Sequence, residues 1–168
     1  MSVDVYLGIG SNVDREHNVR SALQALDDQF GPLAPSPVYE TAAVGFDGDP
    51  FLNLVVRFST QLTIEAVQNA LRDVEHTHGR DRNSARYAPR TLDVDLLLFG
   101  DRIVNSRELT LPRSEITRHA FVLAPLADLA PDLIHPVLGI SISALWKTLQ
   151  QEQTPGEADL RQLDFRLV

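Results

Sequence analysis

Asp93 and Asp95 are the side chains of this sequence best placed to do chemistry, because they sit inside an apolar run and directly behind a cluster of arginines. Leu92, Val94 and Leu96 alternate with them, and Leu97, Leu98 and Phe99 continue the run as hydrocarbon. Side chains of a strand alternate between faces, so the two carboxylates share one face at roughly 6–7 Å spacing. Burying them is unfavourable unless positive charge stands opposite. Arginine can supply that charge, and so can hard cations such as Mg²⁺ carrying substrate phosphates. The plainer alternative is an edge strand whose solvent side happens to carry two aspartates, and the run alone leaves both readings open. Upstream, residues 79–91 hold Arg80, Arg82, Arg86 and Arg90 against only Asp81. A local cation cluster in an acidic chain points to a small anionic ligand, since a long polyanion would also meet the rest of the surface. A solvated charge run is the commoner explanation of such a cluster; its link to the aspartate pair lowers that explanation here.

The rest of the composition narrows the chemistry. Net charge is −8 over 168 residues, which argues against a general nucleic-acid or anionic-membrane binder. Lys147 is the only lysine, and no phosphate-binding G-x-x-x-x-G-K-[ST] string occurs, so phosphate handling falls to arginine. Its planar fork engages two phosphate oxygens at once. The absence of cysteine excludes disulfides, thiolate metal sites and a cysteine nucleophile, and fits a cytoplasmic protein. No apolar run approaches a membrane span, and Met1-Ser2-Val3-Asp4 does not open a secretory signal. Length and ordinary hydrophobic content predict one domain over residues 1–168, with a polar, mobile tail from about residue 151.

The elements that must position these groups follow from periodicity. Residues 3–9 read as a buried strand closing in Gly10-Ser11-Asn12; Val13 stands where a dinucleotide fingerprint needs its third glycine, which rejects that motif. A helix capped by Asp14 runs to about Phe30 and stops at Gly31-Pro32. Residues 35–41 are extended, residues 45–50 form a loop in which Asp47-Gly48-Asp49 is a turn, and residues 51–58 form a second strand. Thr63 caps a helix over residues 64–78, the aspartate strand follows, and residues 102–104 pair back as a short strand. Residues 109–112 are extended, residues 121–129 and 142–150 are helical, and Leu160, Leu163, Phe165 and Leu167 pack back on the body. The β-α-β-β-α-β order predicts an α+β fold with a ferredoxin-like βαββαβ core, extra C-terminal helices and a mostly antiparallel sheet.

Other candidates are weaker. Phe51 and Phe121 lie near element starts, where core packing is the ordinary role of phenylalanine. Asn53 shares the strand face of Phe51, and a buried asparagine needs partners, a polar ligand among them. His76 and His78 are two apart on a helix and face away from one another, which disfavours metal binding. Glu75 can meet Arg80 or a ribose hydroxyl, with a surface ion pair the simpler expectation.

Together these residues carry a family resemblance. The run Arg86-Tyr87-Ala88-Pro89-Arg90-Thr91-Leu92-Asp93-Val94-Asp95, with Gly8-x-Gly10-Ser11-Asn12 upstream, closely resembles the 6-hydroxymethyl-7,8-dihydropterin pyrophosphokinase family of folate biosynthesis. Thr41-Ala42-Ala43-Val44-Gly45, Phe51-Leu52-Asn53, Gly79-Arg80, Leu111-Pro112 and Phe121-Val122-Leu123-Ala124-Pro125-Leu126 extend the similarity in order from about residue 5 to 140. The resemblance implies transfer of pyrophosphate from ATP, the co-substrate, to a pterin alcohol with release of AMP. It implies that Asp93 and Asp95 hold two Mg²⁺ ions bridging the ATP phosphates, with Asp95 near the attacking hydroxyl. Arg80, Arg82 and Arg90 would bind phosphates with Arg86 nearby, Arg80 and Arg90 steadying the transferred group. Glu75 would lie at the nucleotide sugar, with Leu96, Thr110 and Arg113 also on the nucleotide side. Phe51 and Phe121 would sandwich the pterin; Asn53 and the backbone of Thr41, Ala42 and Val44 would read its edge; Asn12 and Tyr87 would line the pocket. The implied partners are small molecules only, with neither nucleic acid nor membrane, acting on a monomer.

The chain departs from the family pattern in one region. Arg113 follows Leu111-Pro112 where the family usually has His, Ser114 comes next, and His119 replaces an arginine common before the Phe segment. The family's His and Arg lie on the nucleotide and phosphate side, and His119 keeps at most part of a charge at neutral pH. Thr41-Ala42-Ala43 also lacks a usual proline. These departures motivate a second reading, a non-catalytic or specialised pterin-binding paralogue with an altered ATP site.

Overall fold

Val5, Leu7 and Ile9 alternate with Tyr6, Gly8 and Gly10 along β1 (Val3–Ser11), and the alternation sends the first three to one apolar core and Tyr6 to another. The computed structural model describes residues 1–42, 48–78, 92–152 and 160–165. β1 is central: it pairs antiparallel with β4 (Phe51–Thr60) on one side and β5 (Asp93–Phe99) on the other. β3 (Val38–Thr41) and β2 (Ala34–Pro35) pair with the far side of β4, and β8 (Arg161–Leu163) pairs with β3. Among the described residues this gives six antiparallel strands in the order β5-β1-β4-β3-β8, with β2 also on β4.

Each sheet face packs its own helices. α1 (Arg15–Phe30) and α2 (Ile64–Thr77) present Val19, Leu23, Leu26, Val67, Leu71 and Val74 at helical spacing to Leu7, Ile9, Leu54, Val94 and Leu96. On the other face α3 (Glu115–Arg118), α4 (Ala120–Leu129) and α5 (Ile142–Glu152) bring Ile116, Leu123, Leu126 and Ile142 onto Tyr6, Val55 and Leu97. The result is an α+β arrangement with an antiparallel sheet, as the element order predicts. No helix among the described residues is long and apolar enough to cross a membrane.

Caps and edges differ in detail from expectation. Thr63 caps α2 through its side chain, accepting from Ala66 N at 3.1 Å. Asp14 precedes α1 in a left-handed conformation (φ 42°) and makes no side-chain cap. Asn18 holds that turn instead, its amide donating to the Val13 carbonyl at 2.6 Å. The short strand expected at residues 102–104 is β6 (Val104–Asn105), which pairs only with β7 (Thr110–Leu111) in a separate hairpin. It does not extend the main sheet, because the outer edge of β5 is already occupied: Arg113 N–H donates to the Leu97 carbonyl, and Val94 N–H donates to Glu75. α3 went unforeseen, since four residues are too few to show a helical period.

The tail also differs. Gln151 and Glu152 complete α5 rather than starting a loose tail. Leu163 and Phe165 return to pack on the core, as expected, with the Arg20 guanidinium 4.5 Å from the Phe165 ring centroid. Leu167 lies outside the described residues.

Candidate active site

Directly opposed residues of an antiparallel sheet share a face. Asp95 lies opposite Gly8 and Asp93 opposite Gly10, while Gly10 is in turn opposite Asn53, and Asn53 opposite Tyr39. One row across the sheet therefore runs Asp93, Gly10, Asn53, Tyr39, and the next carries Asp95, Gly8 and Val55. Phe51, opposite Thr41, lies two residues before Asn53 on the same face. These residues occupy the face that packs α3 to α5, beyond the end of its apolar cluster. β5 is an edge strand, as the plainer reading of the aspartates held, yet both aspartates are half-buried rather than spread on solvent.

The glycines decide how closely this face can be approached. A Cβ at Gly10 would lie 2.8 Å from Asn53 Oδ1, closer than two such atoms pack, whereas one at Gly8 would rest 3.4 Å from Leu97. Asn53 is only 8% exposed, and its amide donates to Thr41 Oγ1 at 2.7 Å. With strands about 4.8 Å apart, the backbones of Asn53 and Asp93 are separated by about 10 Å, with Gly10 between them. A polar, side-chain-free floor thus joins the Asn53 amide to a carboxylate pair.

Residues around Asn53 form one half of the site. Asn12 is buried, and its Nδ2 donates to the Asp49 carbonyl at 3.1 Å. Arg15, from the start of α1, donates to the Pro50 carbonyl at 3.1 Å and pairs with Glu40 at 2.7 Å. The residues preceding Thr41 and Phe51 are therefore tied by one guanidinium. Thr41 and Phe51 are half-buried and Ala42 is exposed. Phe121 lies in the first turn of α4, which packs on β4. The Tyr39 hydroxyl donates to Asp128 of α4, and burial together with that carboxylate pushes the phenol pKa above its ordinary value.

His119 belongs to this half. Its ring stacks on Phe121, centroids 5.0 Å apart and planes 17° off parallel. Burial pushes its pKa below the ordinary imidazole value, with Glu115 opposing and Arg118 adding to the shift. A largely neutral imidazole that backs an aromatic wall replaces the cation expected on the phosphate side.

The other half is a cavity of about 310 Å³ at the outer edge of β5, lined in part by Glu75, Asp95, Leu96, Thr110 and Arg113. Glu75, Leu96, Thr110 and Arg113, which the resemblance puts on the nucleotide side, thus line one space. Glu75 lies off the surface: it is 8% exposed, and its Oε2 accepts from Val94 N at 3.1 Å. Arg113 spans two carboxylates, with Nε 2.9 Å from Glu115 Oε2 and Nη2 3.6 Å from Asp95 Oδ1. Arg72 and Arg107 also line the cavity and were not singled out from sequence, because neither stands in a cluster or motif. Arg80, Arg82, Arg86, Tyr87, Arg90 and Val44 lie outside the described residues.

The donor set suits a hard cation. Two half-buried carboxylates on one face, opposite glycines, are the oxygen donors that hard cations of the Mg²⁺ kind take. Asp93 and Asp95 would hold such ions at the boundary between the cavity and the Asn53 half, which is the geometry a group transfer between two ligands requires.

A family model for 7,8-dihydro-6-hydroxymethylpterin-pyrophosphokinase (HPPK) matches residues 6–131, three quarters of the chain. The chain belongs to this family. A Pseudomonas aeruginosa 2-amino-4-hydroxy-6-hydroxymethyldihydropteridine pyrophosphokinase is 38% identical over 79% of this chain and 83% of that protein. The Aquifex aeolicus protein of the same name is 33% identical over 79% and 84%. A "Folate synthesis bifunctional protein" of Arabidopsis thaliana is 38% identical over 75% of this chain, which spans only 27% of that longer protein. In structure, the Plasmodium falciparum HPPK-DHPS crystallised with pteroate matches at TM-score 0.77 and 14% identity, over 96% of this chain and 46% of that one.

Proposed function

We propose that this chain transfers pyrophosphate from ATP to 6-hydroxymethyl-7,8-dihydropterin and releases AMP, the pterin step of folate biosynthesis. The observation that carries this is the row Asn53, Gly10, Asp93, which sets an amide reader and a carboxylate pair on one floor beside a cavity. The relatives named as pyrophosphokinases over most of their length support the catalytic reading over a non-catalytic paralogue.

In this reading the pterin lies on the Gly10 floor, with Asn53 and the Thr41–Ala42 backbone at its polar edge and Phe51 and Phe121 on its faces. Asn12 fixes the neighbouring backbone. ATP occupies the cavity, its sugar near Glu75 and its base between Leu96 and Thr110, with Arg113 toward the phosphates. The pterin hydroxyl oxygen attacks the β-phosphorus, the bond from that phosphorus to the α–β bridging oxygen breaks, and AMP departs. Asp93 and Asp95 would hold the ions that face the phosphates, and Asp95 borders the hydroxyl, whose proton passes to solvent. Two Mg²⁺ ions, when bound, supply charge neutralisation at the phosphate oxygens. Arg80, Arg82 and Arg90, with Arg86, complete the phosphate contacts, Arg80 and Arg90 steadying the group in flight; Tyr87 and Val44 complete the pterin side.

The strand order β5-β1-β4-β3 supports a ferredoxin-like βαββαβ core to which α3, α4 and α5 are additions. We assign residues 1–168 to one domain that acts as a cytoplasmic monomer on small molecules, without nucleic acid or membrane. A coupled assay for AMP release with the dihydropterin alcohol, ATP and Mg²⁺ tests the activity; a folded protein that releases none refutes it. Asp95→Ala is expected to lower kcat by about 10³-fold. Its melting temperature should stay near wild type, because the side chain is half-exposed. Wild-type turnover in this variant would remove Asp95 from the site.

A further inference from the structure

Arg113 makes three attachments of unequal strength. Its backbone N–H donates to the Leu97 carbonyl at 3.0 Å, which pins the residue to the outer edge of β5. Its Nε lies 2.9 Å from Glu115 Oε2, an ion pair whose angle leaves that buried N–H without a hydrogen bond. Its Nη2 lies 3.6 Å from Asp95 Oδ1, beyond hydrogen-bonding range, so that attraction is Coulombic only. The backbone is fixed while the guanidinium is shared between an acid of the cavity wall and an acid of the carboxylate pair.

We propose that Arg113 is an internal competitor for the cation side of Asp95, and that it yields that place only when a metal arrives together with a triphosphate. This rests on the reading of Asp93 and Asp95 as metal ligands. Without ligand, the permanently charged guanidinium offsets part of the repulsion among Asp93, Asp95 and Glu115 and disfavours a bare dication. When a metal-bound triphosphate enters the cavity, the same guanidinium has phosphate oxygens to turn to, and its planar fork suits them better than the distant carboxylate. Arg113 therefore opposes binding of free metal and favours binding of the metal–nucleotide complex, so the two load as a unit. A neutral side chain at this position would lack the first effect.

The test measures Mn²⁺ alone, and then α,β-methylene-ATP in saturating Mg²⁺, by calorimetry on the full chain as wild type, Arg113→Ala, Arg113→Lys and Asp95→Ala. A unit charge about 6 Å from a dication in water-like dielectric corresponds to roughly ten-fold in affinity, less in salt. Arg113→Ala should therefore bind Mn²⁺ roughly three- to ten-fold more tightly than wild type at low ionic strength, and the analogue about ten-fold more weakly. Arg113→Lys keeps the charge and should keep the weak Mn²⁺ affinity, which separates the charge effect from a disturbed fold. Mn²⁺ binding in Arg113→Ala that is no tighter than wild type, including none in either protein, overturns the proposal. Mn²⁺ binding unchanged in Asp95→Ala overturns the metal-ligand reading beneath it, a distinct result.

Discussion

Of the described glycines, Gly10 has the least room for a side chain. A methyl there would sit 2.8 Å from Asn53 Oδ1, and Asn53 cannot step aside without leaving Thr41 Oγ1. Gly10→Ala should therefore rotate the amide out of register and raise the KM for the pterin by about ten-fold, equivalent to about 1.4 kcal/mol, while the KM for ATP moves little. Gly8→Ala, whose new methyl meets Leu97 at ordinary contact distance, should leave the pterin KM within about two-fold. Steady-state kinetics of the two variants checks this, and equal effects would show that the Gly10–Asn53 approach does not govern substrate affinity. The asymmetry is invisible in sequence, where Gly8-x-Gly10 reads as a rejected nucleotide motif and as part of the family resemblance, with nothing to set one glycine apart from the other. Alternation did place Asp93 with Asp95, and Phe51 with Asn53. It could not show that both pairs share one floor, because that depends on the register of β1 against two partners. For the same reason Glu75 read as a surface acid: that its carboxylate accepts from Val94 N is a long-range contact.

At the scale of elements, long periodic segments were legible and short ones were not. β1, β4, α1, α2, α4 and α5 fall within a few residues of their expected bounds, because each buries a full stripe or face. α3 and the β6–β7 hairpin are held by tertiary contacts and turn bonds that leave little periodic trace. The connection from α4 to α5 is another such case. His135 is buried there, and its Nδ1 accepts from the N–H groups of Val137 and Leu138 at 3.3 and 3.1 Å. That nitrogen must be unprotonated, and burial lowers the imidazole pKa accordingly. The sign follows from linkage. Above the unfolded value of about 6.5 the neutral ring contributes fully; as pH falls below it the unfolded chain takes the proton first, and the turn loses stability. Protection factors of the Val137 and Leu138 amides should drop between pH 7 and pH 5, and in His135→Asn they should be pH-independent. Protection that rises on acidification would contradict the hydrogen-bond assignment.

Over the whole molecule, one sheet separates two jobs. Its first face is closed by α1 and α2 into the larger core, and its second is apolar at one end and carries the site at the other. The chain then returns to the edge nearest the substrate half: β8 pairs with β3 at Val38, Tyr39 and Glu40, immediately before Thr41. Leu163 and Phe165 add apolar contact to the first core, and Arg20 lies over Phe165. Truncation after Glu152 should remove about 2–3 kcal/mol of stability, the worth of two partly buried side chains with a cation–π contact. It should also bare a strand edge that invites association. Since β3 positions Thr41 and Glu40, the loss should extend to function, with a raised pterin KM and a nearly unchanged KM for ATP, whose cavity lies at the opposite edge of the sheet. Urea unfolding, light scattering and kinetics on the truncated chain report these effects separately. An unchanged urea midpoint would mean that β8 contributes no stability. A raised ATP KM with an unchanged pterin KM would mean that the two ends of the sheet are not as independent as the strand order makes them.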